Sequence, residues 1–132
     1  MRVQTGGVHH LDLTVKDARR SLAFYTNYLG FKHLTDFGPK VLMSNGTLIL
    51  ALNPPPDPAE SPINDKFSEH RIGLDHLSLS VASLSDLNAA VKLFDENGIP
   101  HGELENLAAI GITVLPFRDP DNIQLELTAP NA

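Results

Sequence analysis

Residues 8–17 read VHHLDLTVKD, and residues 74–83 read LDHLSLSVAS. Both stretches alternate with the two-residue period of a strand. In the first, Leu11, Leu13 and Val15 share one face, while Val8, His10, Asp12 and Thr14 share the other. In the second, Leu77, Leu79 and Val81 oppose Leu74, His76, Ser78 and Ser80. A strand face that carries His, Asp, Thr and Ser is not composed like a core; it is expected to line a wet cavity.

The segments that follow each copy also repeat. Asp17 is a good N-cap for a helix over 18–29, with Leu22, Tyr25 and Leu29 recurring on one face and Gly30 ending it. In the second copy Ser83 or Ser85 caps, Leu87, Ala90, Val91 and Phe94 form the apolar stripe, and Gly98 terminates. Three strands are predicted after each helix. The first set lies near 31–36, 40–44 and 47–52, with Ser44-Asn45-Gly46 as a hairpin turn; the second lies near 101–105, 110–117 and 122–128, with Asp119-Pro120-Asp121-Asn122 as the turn. His10 and His76 stand 66 residues apart, so the chain reads as a tandem duplication of a unit too small to fold comfortably alone.

The predicted fold is therefore α+β, one domain over 1–132 built from two βαβββ modules, about 6–53 and about 74–128. Between them, NPPPDPAESPINDKFSEHRIG (53–73) holds half of the ten prolines and can be neither a helix nor a central strand. It reads first as a linker, over about 54–73, and second as a lid using Phe67, His70 and Arg71.

Composition narrows the chemistry. At 132 residues the chain can bury roughly two thirds of the surface its unfolded form exposes, enough for a sizeable core. The absence of cysteine removes disulfides, thiolate nucleophiles, iron–sulfur clusters and Cys-based zinc sites, so any metal must be held by His and carboxylate. A net charge of -6 without a Lys/Arg cluster argues against nucleic acid. No apolar run is long enough for a membrane span, and MRVQTGGVHH lacks the apolar core of a signal peptide, so a cytoplasmic protein is expected.

The last strand supplies a third donor. Ile123, Leu125 and Leu127 match the helix-facing apolar set, which sends Gln124, Glu126 and Thr128 to the opposite face. A Glu flanked by Leu on a strand is costly to bury unless it is paired or bound to a cation. His10, His76 and Glu126 together make two imidazoles and one carboxylate, a set that leaves coordination positions open as a catalytic metal requires.

The stretches HHLDLTVKDARRSLAFYTNYLGF (9–31), LDHLSLSV (74–81) and FRDPDNIQLEL (117–127) resemble the vicinal oxygen chelate superfamily, which groups glyoxalase I, extradiol dioxygenases, fosfomycin-resistance proteins and bleomycin-resistance proteins. The resemblance covers nearly the whole chain. It implies two βαβββ modules forming a curved mixed sheet around a divalent metal, commonly in a homodimer. It also implies that His10, His76 and Glu126 are metal ligands. Iron, manganese, nickel, cobalt and zinc all suit that set.

Departures from the family pattern separate its members. The fourth ligand place, found by setting Leu50-Ala51-Leu52 against Leu125-Glu126-Leu127, is Ala51, unlike four-ligand glyoxalase I and the related epimerase. The Tyr expected of extradiol dioxygenases falls at Pro116, and Ala108 to Leu115 contain no His. Asp12 after His10, with no basic residue beyond Arg118, is unlike the phosphonate-binding fosfomycin enzymes.

The resulting expectation is a metal-dependent lyase or isomerase whose small substrate chelates the ion through vicinal oxygens. The alternatives are a ring-cleaving extradiol-type dioxygenase and a non-enzymatic drug-binding protein resembling bleomycin-resistance proteins. Asp12 and Ser78, each two residues after a proposed ligand and on its face, are candidates with Glu126 for proton transfer or for hydrogen bonds to substrate. His9, on the Leu11 face with Asp75 as its counterpart, is assigned a supporting or helix-contacting role. His33 and His101 are read as solvated strand ends, Arg118 and Asp119 as turn residues, and Phe24, Tyr25 and Tyr28 as core.

Overall fold

The computed structural model describes all residues 1–132, and its contacts divide them into two compact units, Met1–Asp65 and Lys66–Ala132. The first contains β1 (Leu11–Thr14), α1 (Ala18–Tyr28), β2 (Lys32–Phe37), β3 (Lys40–Ser44) and β4 (Ile49–Asn53). The second contains β5 (Leu77–Ser80), α2 (Leu84–Glu96), β6 (Glu105–Leu107), β7 (Ile112–Arg118) and β8 (Gln124–Pro130). Each is a βαβββ unit with a mixed four-stranded sheet, in the orders β1-β4-β3-β2 and β5-β8-β7-β6. The first and last strands of each unit run parallel, joined across the helix, and the remaining pairs are antiparallel hairpins. The chain is α+β, built twice from one plan. Neither helix is long and apolar enough to cross a membrane.

Local chemistry sets both helices. Asp17, in an extended conformation, accepts hydrogen bonds from the amides of Arg19 and Arg20, and Gly30 takes the left-handed φ of 73° that ends the helix. Ser83 rather than Ser85 is the second N-cap, because Asp86 returns a bond to the Ser83 amide and closes a capping box. The buried stripe of α1 is Ser21, Phe24 and Tyr25, with Leu22 and Leu29 only half-buried. Aromatic area decides that rotation: Tyr25 is fully covered and meets Phe24 and Phe31 edge to face, at 5.4 and 5.8 Å between ring centres. On α2, Leu87 and Phe94 are buried while Ala90 and Val91 are half-buried.

The strand expected over 101–105 does not form. An isolated bridge joins His101 to Phe117, and pairing resumes only at β6. The cause lies in β7. Gly102 donates its amide to the Pro116 carbonyl at 2.8 Å, but Pro116 has no N–H to return, so the ladder breaks there. Pro116 also crowds the site: a Cβ on Gly102 would come within 2.8 Å of its ring. In β2 the pairing shifts between His33 and Thr35, and Leu34 beside the bulge is half exposed.

The proline-rich segment is irregular apart from one 3₁₀ turn, Pro58–Glu60, capped by Asp57. Its end is fastened to the second unit. The Phe67 amide donates to the Asp121 carbonyl at 3.0 Å, Asn122 donates to the Phe67 carbonyl at 3.0 Å, and the Arg118 guanidinium grips both oxygens of Glu69 at 2.9 and 3.0 Å. Phe67 and Glu69, not His70, make these attachments. Arg118 is thus more than a turn residue, and its guanidinium holds the Glu69 carboxyl at about 2, from an ordinary 4.5.

Two outcomes are expected. Ser83→Ala removes the cap and its box and should cost about 1 kcal/mol in a urea titration. The Glu69 contribution has the sign of a depressed carboxyl: it is fully present above the unfolded value of 4.5 and is lost as pH falls toward about 2. Protection of the Phe67 amide, its exchange rate set against the intrinsic rate at each pH, should therefore fall on acidification through that window. In Glu69→Gln it should already be low at neutral pH, with β8 amides unaffected.

Candidate functional site

Ile123, just before β8, and Leu125, Leu127 and Ala129 within it are each no more than 7% exposed and lie on the helix side of the sheet. Alternation then places Gln124, Glu126 and Thr128 on the other face, where all three are half-buried. Parallel pairing sets Ser78 opposite Glu126 and Ser80 opposite Thr128, and His76 stands immediately before β5. The polar residues of the second repeat thus gather on one sheet face, as the alternation required.

They form one connected chain of contacts. His76 Nδ1 lies 2.7 Å from Asp75 Oδ1, and its Nε2 lies 3.6 Å from Glu126 Oε1. Gln124 donates Nε2–H bonds to both the Asp75 carbonyl and Asp75 Oδ1, at 3.0 and 3.1 Å. The Thr128 hydroxyl donates to Glu126 Oε1 at 3.4 Å, and the Ser78 and Thr128 hydroxyls share a hydrogen bond of 2.5 Å. His76 keeps 39% of its side chain exposed and Glu126 19%, so both are reachable from solvent.

This pair fits a cation. A carboxylate only accepts hydrogen bonds, so Nδ1 donates to Asp75, and a ring carrying one proton has its lone pair on Nε2. Nε2 and Oε1 are then two electron-pair donors facing each other. Ligand atoms each about 2.1 Å from one ion are roughly 3.0 Å apart at a right angle and about 3.4 Å at a tetrahedral one. The observed 3.6 Å needs only a small adjustment.

The first unit carries the other candidates. His10 is exposed just before β1, with its Nδ1 2.8 Å from that of His9 and the two rings edge to face at 5.1 Å. His9 therefore meets His10 itself. Asp12 pairs in register with Ala51 on the parallel partner strand, as Ser78 does with Glu126, so Ala51 holds the place equivalent to Glu126. Asp12 is engaged by Lys40, 2.8 Å from its Oδ2, which keeps its carboxyl below the ordinary range with smaller help from His10 and Asn53. Within neither unit are three His, Asp or Glu side chains grouped to hold an ion.

Two other histidines differ in part from expectation. His33 sits 2.7 Å from Asp36, which Arg19 also engages. His101 sits 2.6 Å from Asp95 and 2.7 Å from the Gly102 carbonyl, and Asp95 first, then that carbonyl, raise its imidazole above the usual value. Carboxylates placed by the helix end and by the bulged strand give each ring a hydrogen-bond partner, while His33 stays exposed as expected and His101 is half-buried. Asp119 does serve the turn, accepting from the amides of Asp121 and Ile123. Asp75, Gln124, Thr128 and Lys40 escaped the sequence reading. Asp75 left a trace as the repeat counterpart of His9, and Gln124 and Thr128 as residues on the Glu126 face with no role assigned.

A family model, the Glyoxalase/Bleomycin resistance protein/Dioxygenase superfamily, matches residues 7–127. The chain is 30% identical to the uncharacterized protein YwkD of Bacillus subtilis (strain 168), over 91% of this chain and 94% of that one. It is 32% identical to the uncharacterized protein YaeR of Escherichia coli (strain K12), over 91% and 93%. Among solved structures, a glyoxylase/bleomycin resistance protein/dioxygenase domain from Frankia sp. EAN1pec is similar at 32% identity and a TM-score of 0.79, covering 96% of this chain and 93% of that one. The fosfomycin resistance protein FosX of Listeria monocytogenes, at 15% identity, TM-score 0.74 and coverage of 96% and 94%, shares the fold. With its duplicated βαβββ plan and a family match from residue 7 to 127, this chain belongs to the glyoxalase/bleomycin resistance protein/dioxygenase superfamily.

Proposed function

We propose that this chain is a divalent-metal-dependent enzyme of the lyase or isomerase type, with His10, His76 and Glu126 as metal ligands. Its substrate is a small molecule that chelates through two neighbouring oxygens. The observation that carries the reading is the facing pair of donors, His76 Nε2 and Glu126 Oε1, backed by Asp75 on the far nitrogen of the ring. When bound, the ion supplies Lewis-acid polarisation of a substrate oxygen.

The chain's own residues divide the remaining work. Ser78 and Thr128 place two hydroxyls beside Glu126, so a proton can pass from the substrate side through them to the carboxylate. Asp12 is a poorer proton carrier than its position suggests: the Lys40 ammonium keeps it ionised and weakly basic. Its role is to balance charge with Lys40 and to accept a hydrogen bond. The dioxygenase alternative is disfavoured by the neighbour of Glu126 across the antiparallel ladder, which is Pro116, a side chain without acid–base chemistry at the expected Tyr place.

Two measurements test this. Protein purified without chelator should contain a divalent ion on elemental analysis, and His76→Ala and Glu126→Ala should each lower its occupancy at least tenfold. Metal content unchanged in both variants would end the enzyme reading in favour of a drug-binding module. Oxygen consumption with a panel of catechols should be absent in the loaded protein; uptake would replace lyase or isomerase chemistry with ring cleavage.

A further inference from the structure

We infer that Asp75 and Gln124 are positioning residues for His76: they hold its ring with Nδ1 protonated and Nε2 bare and aimed at Glu126. The inference rests on the metal-holding reading of His76 and Glu126, and it extends that reading to two residues outside the ligand set.

The argument begins with what each atom can do. Asp75 Oδ1 is 2.7 Å from His76 Nδ1, and since the carboxylate has no hydrogen to give, the ring must donate there. An imidazole left to itself favours the proton on Nε2, the atom that here faces Glu126 at 3.6 Å. Asp75 reverses that preference. A carboxylate on the far nitrogen also makes the near one a stronger donor to a cation.

Asp75 could swing away, since 69% of its side chain is exposed. Gln124 prevents it. One amide nitrogen of Gln124 donates both to the Asp75 carbonyl, at 3.0 Å, and to Oδ1, at 3.1 Å, tying backbone and side chain of Asp75 to β8. Glu126 lies two residues further along the same face of that strand, so β8 carries both the carboxylate and the anchor of the opposing imidazole.

The first unit shows what the arrangement lacks without these parts. His9 precedes His10 as Asp75 precedes His76, and it touches the same Nδ1 atom, at 2.8 Å. It is an imidazole, not a carboxylate. The strand position equivalent to Gln124 is Ile49, two residues before Ala51, and it has no donor with which to anchor anything. A stability role does not account for the Asp75 contacts either, because ion pairs this exposed contribute little to folding.

The test uses the metal-free full-length chain, labelled with ¹⁵N, in a two-bond proton–nitrogen correlation experiment at a pH where the imidazoles are neutral. His76 should show Nε2 as the bare nitrogen in the wild type. Asp75→Ala should move the proton largely to Nε2, Gln124→Met should give a mixed population, and Asp75→Asn, which keeps an acceptor oxygen, should restore most of the wild-type signature. Titration with zinc should show affinity falling about 10- to 100-fold in Asp75→Ala, with urea stability unchanged.

A wild-type His76 protonated on Nε2, or an Asp75→Ala spectrum identical to the wild type, would overturn the inference. So would zinc affinity in Asp75→Ala within twofold of the wild type. If the wild type takes no zinc or other divalent ion, the enzyme reading falls, and the tautomer measured without metal still decides the positioning of His76.

Discussion

The site depends on the pleat of β8. Ile123, Leu125, Leu127 and Ala129 are buried on the helix side, and burying three large aliphatic side chains contributes roughly 1.5–3 kcal/mol each. That contribution fixes the register of the strand, because a slip of one residue would carry the whole apolar set to the other face. Gln124, Glu126 and Thr128 have no choice but to face away from the helix. The apolar face holds the carboxylate in place without touching it.

Parallel pairing with β5 then determines what Glu126 meets. Ser78 is its register partner, and the chain immediately before β5 brings His76 alongside. Because α2, β6 and β7 separate β5 from β8 in sequence, neither local propensity nor a turn can make this juxtaposition. It follows from the sheet order β5-β8-β7-β6: the chain passes through α2 to the far edge and comes back through β7, which returns the last strand beside the first. The first unit uses the same device to place Asp12 beside Ala51, and there the chemistry has been removed. Two units with one backbone plan thus differ at the position that bears a donor: Glu126 in one, a methyl group in the other.

Much of this was legible from residues alone. Period-two alternation exposed the faces of β1, β5 and β8, the 66-residue repeat exposed the duplication, and Asp17, Gly30 and Gly98 marked helix ends that the structure keeps. What escaped were features fixed by contacts between distant segments. The loss of the 101–105 strand required knowing that Pro116 faces Gly102. The tie between Glu69 and Arg118 joins residues 49 apart, and nothing in PINDKFSEHRIG singles out that Glu over its neighbours. The Lys40–Asp12 pair likewise depends on β3 lying near β1, across β4.

The same distinction explains why side-chain direction was easier to read than protonation or partner. Alternation tells which face His76 and Glu126 occupy; it does not tell that a neighbouring carboxylate accepts a hydrogen bond from Nδ1, or that a glutamine holds the carboxylate. Those are hydrogen bonds of about 3 Å, and their existence turns on rotamers that only the assembled sheet selects. In the second unit the selection is made by β8, whose polar face supplies anchor and donor at a spacing of two residues. A strand built this way couples ligand geometry to core packing. Disturbing the core under Leu125 would shift Gln124 and Glu126 together, and with them the Asp75 that orients His76.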